Sequence, residues 1–232
     1  MLLVRRVLLA ALIVAFPSGS LLAVPMRFLA WDQAVGARKL AVQSGSQQVA
    51  LKDLHPHKRT DPVAVTTGET PPLLVATDKT SPDGKPVTVE IKMAADIQSP
   101  LVLLIPDPKH PTGIRPFVIE DNVANFKWGT MRLLNATGKV LVMRFEKTVV
   151  PLPASWTPVD VALGGEGRNV GVEAIAKDDP KSMLYSAVWE HDMSLRKLVI
   201  IVPDTDGPPG AVDFKVIPEN RRAVEAAAAS KP

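Results

Sequence analysis

Four histidines, His55, His57, His110 and His191, are the side chains of this 232-residue chain best suited to acid–base or metal chemistry. His55 and His57 stand two apart, so in an extended segment they project from one face as metal ligands, with Asp53 or Asp61 adding a carboxylate. Pro56 sits between them and no third histidine is near, so the pair reads better as a solvent-exposed connecting loop. His191, in Trp189-Glu190-His191-Asp192, offers an acid–base pair. A hairpin turn between Val188 and Leu195 explains that polarity equally well. His110 lies beside Pro111 in a loop. Asp204-Thr205-Asp206-Gly207 has the alternating oxygens of a calcium loop opening but lacks the downstream bidentate glutamate, which leaves an Asp-Gly turn. There is no Gly-x-Ser-x-Gly elbow, and Gly164-Gly165-Glu166-Gly167 lacks the lysine of a phosphate loop. The residues therefore point to a non-enzymatic protein with no cofactor.

Binding chemistry is better represented. Tyr185 and Trp189 are four apart in a strand-like stretch and share a face, the arrangement from which aromatic rings stack on a sugar. The competing reading is that they fill the core of a β-sandwich, as a tryptophan commonly does. Asn135-Ala136-Thr137 fits the glycosylation acceptor pattern.

The elements that must position these residues are strands. Leu40 and Val42, a Ser44-Gly45-Ser46 turn, then Val49 and Leu51 make an alternating hairpin. Val87, Val89 and Ile91 alternate with Thr88, Glu90 and Lys92, giving one buried and one wet face. The chain also repeats itself. Leu101 to Asp107, followed by Phe117 and Ile119, matches Leu198 to Asp204, followed by Phe214 and Val216, at a constant offset of 97. Lys39-Leu40 matches Arg132-Leu133 at 93, so the first hairpin recurs as Met131 and Leu133, the Asn135 to Gly138 turn, and Val140 and Val142. Val65 with Gly68 matches Val161 with Gly164. The fold class that follows is all-β, with two tandem, duplicated immunoglobulin-like β-sandwich domains after a signal peptide. Their expected bounds are 27–121 and 122–220. Leu101 to Ile105 and Leu198 to Val202 are unbroken apolar runs, which fit central strands covered on both sides or an interdomain contact.

Residues 1–23 carry Arg5-Arg6, an apolar run from Val7 to Phe16 and small residues before Ala23, the three parts of a signal peptide. The run is too short to span a bilayer, so the membrane is met only before cleavage, after Ser20 or, by preference, after Ala23. The expected location is the periplasm, cell surface or exterior. The net charge of +3 is largely leader and tail, because residues 24–220 hold 22 Lys and Arg against 23 Asp and Glu. That excludes a nucleic-acid partner recognised by clustered cations. The absence of cysteine excludes disulfide frameworks and thiolate zinc sites. The Ala-rich tail, 221–232, has no apolar face to dock and reads as disordered.

Arg132, Leu133, Asn135 and Gly138, then Val150 to Pro153, then the strand Arg196 to Pro203 together resemble an uncharacterised family of small exported β-sandwich proteins from bacteria such as verrucomicrobia. The resemblance covers most of 38–218 and implies export and a sandwich fold, with no catalytic residues to carry over. The expected function is a binding or assembly module of the cell envelope that recognises a protein partner through sheet edges or loops. The alternative is a carbohydrate-binding module, with a glycan partner held by Tyr185 and Trp189.

Overall fold

The computed structural model describes residues 22–68, 70–179 and 181–230. The expected leader lies outside the described residues except for Leu22 and Ala23, which belong to the first strand. The first half contains β1 (Leu22–Ala30), a short helix α1 (Gln33–Gly36), β2 (Leu40–Ser44), β3 (Gln47–Ala50), β4 (Val63–Thr67), β5 (Leu73–Thr80), β6 (Pro86–Glu90), β7 (Pro100–Pro106) and β8 (Ile114–Glu120). The second half contains β9 (Thr130–Asn135), β10 (Leu141–Phe145), β11 (Thr148–Leu152), β12 (Val159–Ala162), β13 (Arg168–Ala176), β14 (Met183–His191), β15 (Leu195–Pro203) and β16 (Val212–Asn220), followed by the helix α2 (Arg221–Ala229).

The all-β expectation and the two similar halves are what the structure shows. Each half is a pair of four-stranded sheets, ordered β4-β1-β7-β8 and β3-β2-β5-β6 in the first, β12-β9-β15-β16 and β11-β10-β13-β14 in the second. Adding eight to each strand number of the first half gives the second. In both, the opening strand pairs in parallel with the seventh, β1 with β7 and β9 with β15.

The alternation of side chains along these strands builds three apolar layers. Val102 and Leu104 of β7 face β2 and β5 residues such as Val42 and Leu74 in the first sandwich core. Val199 and Ile201 of β15 do the same in the second, with Met143 and Val172. The intervening residues, Leu101, Leu103 and Ile105 of β7 and Leu198 and Ile200 of β15, meet each other with Leu29, Leu134 and Phe126 in a third layer that joins the halves. The two unbroken apolar runs are therefore central strands buried on both faces, and each fully buried Leu, Val or Ile contributes roughly 1.5–3 kcal/mol by leaving water.

The internal repeat has a different register from the one its sequence spacing implies. Arg27 pairs with Leu101 and Arg132 with Leu198, so Met26-Arg27-Phe28-Leu29 corresponds to Met131-Arg132-Leu133-Leu134, and β9 repeats β1. The counterpart of the β2–β3 hairpin is β10–β11, not the turn at Asn135 to Gly138. Phe117 and Phe214 are not equivalent either. Phe117 pairs with Leu103 and packs in the joining layer, whereas Phe214 pairs with Ile201 and packs in the second core. The loop after β15, residues 204–211, is one residue longer than that after β7, residues 107–113. A one-residue slip moves every later side chain to the opposite face.

Two bounds differ as well. Among the described residues the first half already includes Leu22, which pairs with Thr67, ahead of the expected bound at residue 27. The tail expected to be disordered is helical over Arg221–Ala229 because Asn220 caps it, accepting from the backbone N–H of Arg222 and Ala223, and alanine has the highest helix propensity.

Candidate functional site

Edge strands expose unpaired backbone groups, and proteins guard them by shortness or by proline. Here β3 and β12 have four residues each and β4 has five. The strands β6, β8, β11 and β16 carry Pro86, Pro116, Pro151 and Pro218. The exception is β14, which runs nine residues, Met183–His191, without a proline and pairs on one side only, with β13, its register shifting once, at Leu184 near its start.

The two faces of β14 differ. Tyr185 and Trp189, expected to share a face, do so and turn inward, half-buried against the second core. The Trp189 Nε1–H donates to the Tyr185 hydroxyl at 2.9 Å, and Phe214 lies 4.4 Å from the Tyr185 ring and 5.1 Å from the Trp189 ring, centroid to centroid. Because the planes of Tyr185 and Trp189 are inclined at 67°, they form no common platform. Outward, Ser186, Val188 and Glu190 are exposed, Val188 at 68%. Opposite Val188 stands Gly171, where a Cβ would meet nothing within 4 Å. A shallow depression of about 270 Å³ results, flanked by the Arg144–Glu173 ion pair at 2.8 Å.

His191 ends the inward row. It is buried, and its Nε2 has no hydrogen-bond partner among the described residues. Burial first, then the neighbouring Arg168 charge, pulls its pKa below the ordinary 6.5. His55 and His57 do lie together in the loop before β4, with ring centroids 5.9 Å apart, and the His57 backbone N–H donates to His55 Nδ1 at 3.0 Å. Among the described residues no three His, Asp or Glu side chains converge as a metal site would require. Asp204 Oδ1 accepts from the backbone N–H of Asp206 and of Gly207, both at 3.0 Å, so that carboxylate closes its own turn. The Asn135 Nδ2 donates to the carbonyls of Lys139 and Pro153 at 2.7 and 2.9 Å and is buried, which withdraws it as a glycan acceptor in the folded chain.

Sequence reasoning missed a charged cluster at the joining layer. Asp121, just beyond β8, accepts from Arg59 at 2.9 and 3.0 Å, from Arg27 at 2.9 Å and from Arg196 at 3.4 Å. Glu219 of β16 accepts from Arg27 at 2.6 Å and also pairs with Arg196. The Arg196 guanidinium lies 5.1 Å from the Phe126 ring and 5.3 Å from the Trp128 ring, over their faces. Burial pulls Arg196 below the ordinary guanidinium value against the opposing pull of Asp121 and Glu219. The desolvation of Glu219 favours its neutral form, but Arg59, Arg27 and Arg196 outweigh it and hold the carboxyl below its usual range. No signal in the sequence marks it, because Met-Arg recurs at Met26-Arg27, Met131-Arg132 and Met143-Arg144 and only Arg27 joins the cluster. No helix among the described residues is long and apolar enough to cross a membrane.

No family profile matches this chain, and no curated protein matches it.

Proposed function

We propose that this protein is an exported, non-enzymatic binding or assembly module of the cell envelope that recognises a protein partner by adding one of its extended segments to β14. The observation that carries this reading is the contrast among edges: seven are short or interrupted by proline, and β14 alone runs nine residues without one, in unbroken register from Tyr185 to His191 and with Val188 exposed between Ser186 and Glu190. Strand addition takes affinity from main-chain hydrogen bonds and specificity from alternate side chains. Val188 and the space beside Gly171 supply an apolar step, and the Arg144–Glu173 pair supplies charge next to it. Tyr185 and Trp189 act from the inner face, fixing the strand so that its free edge is presented in one conformation. The leader-like N-terminus supports export.

The test is capture from the producing cell's envelope fraction on immobilised protein, comparing the parent with Val188→Lys and Ser186→Pro, and using Val149→Lys on the opposite edge as control. A partner retained by the control and lost by both β14 variants is the expected result. Equal capture by all four overturns the reading, and glycan binding abolished by Trp189→Ala would put a carbohydrate-binding module in its place.

A further inference from the structure

Where the joining layer reaches the surface there is a cleft of about 530 Å³ between β1, the loop before β4, the end of β16 and α2. Its volume is in the range of small-molecule sites, ~300–1,000 Å³. The two walls are chemically opposite. One presents Arg27 and Arg59, with Lys58 and Asp61 exposed at the rim and offsetting each other. The other is the apolar side of α2, Ala223, Val224 and Ala227.

The cationic wall is not balanced. Arg27, Arg59 and Arg196 converge on two carboxylates, Asp121 and Glu219, which leaves one unit of positive charge in a cluster whose inner members, Arg196 and Asp121, are each 1% exposed and whose Arg27, at the cleft, is 24% exposed. A surplus charge so largely withdrawn from water favours an anion at the one end that opens to solvent. Donors remain for one, since Arg27 Nε and Arg59 Nη1 take no part in these ion pairs. On the other wall, α2 buries none of its residues, although its apolar side is turned to the cleft.

We propose that this cleft binds a free amphiphilic anion, with a carboxylate or phosphate head against Arg27 and Arg59 and an aliphatic chain along α2. The head neutralises the surplus charge and the chain covers the alanine and valine side chains. Neither half of such a ligand suffices alone, because the head without a chain leaves α2 wet and the chain without a head leaves the arginines unbalanced. The site is separate from β14, so its failure leaves the strand-addition reading untouched.

Titration calorimetry of the purified protein with dodecanoate, dodecyl phosphate, dodecanol and inorganic phosphate tests it. One-to-one binding of either amphiphilic anion, at least about tenfold tighter than dodecanol and inorganic phosphate, is expected. The ratio of the two anions tells which head the site takes. Arg27→Met and the surface variants Lys58→Glu and Val224→Glu should each weaken it by about tenfold or more, the last two without a change in circular dichroism. The proposal is overturned by dodecanol binding as tightly as dodecanoate, by affinity indifferent to Lys58→Glu and Val224→Glu, or by no binding of either anion at about 1 mM.

Discussion

His191 shows how a single buried side chain sets a condition on the whole chain. With Nε2 unpartnered and Arg168 nearby, the folded protein favours the neutral imidazole, so protons bind more readily to the unfolded chain. The sign follows from linkage: this contribution is full above about pH 6.5, declines as the pH falls from there toward the depressed folded value, and levels off below it. Urea midpoints measured from pH 8 down to 5 should fall, and the fall should be shallower in His191→Gln. An identical slope in the variant would mean that other groups carry it. At this scale the sequence was half legible. The spacing of Tyr185 and Trp189 placed both on one face, and their competing core role described that face correctly. It gave no sign of Asp121, because the residues that meet there, at 27, 59, 196 and 219, are brought together only by strand register.

Among the elements, the paired hairpins are the sharpest comparison between the halves. In β2–β3 the first turn position is Gly45, with φ of 56°, and its counterpart in β10–β11 is Glu146, with φ of 53°. That left-handed conformation suits glycine and costs another residue about 1 kcal/mol or more. Glu146 gives up little in exchange, since its contact with Arg168 is long, at 3.4 Å, and exposed on both sides. Glu146→Gly should therefore stabilise the protein by about 1 kcal/mol, raising Tm by roughly 2–4 °C in a thermal scan. A lowered Tm would show that the Arg168 contact matters more than the backbone. Strand existence was readable from alternation, as at Val87 and Val89, but strand correspondence was not. Apolar β-segments look alike in composition, so the Arg-Leu of β9 reads like Lys39-Leu40 although its counterpart lies in β1, and an extra loop residue masks the shift at Phe214.

For the whole molecule, the joining layer is what makes four sheets one body, and its apolar half was visible in the runs Leu101 to Ile105 and Leu198 to Val202. Its charged half ties the same surfaces together, with Arg27 and Arg59 from the first half and Arg196 and Glu219 from the second meeting on Asp121 or on each other. Removing one partner of a buried ion cluster is more damaging than never having built it. Asp121→Asn should cost about 3–5 kcal/mol in chemical denaturation, because three guanidinium groups then share one carboxylate. A loss under about 1 kcal/mol would show the cluster to be energetically idle. The parallel pairing of β1 with β7 and of β9 with β15 also governs the order of events as the chain forms. Neither inner sheet can close until its seventh strand is available, so the closing contacts are distant in sequence and slow to find. A polypeptide emerging at roughly 5–20 residues per second spends several seconds with β1 lacking its central neighbour. During that interval the emerging chain presents an open, apolar strand rather than a finished sandwich.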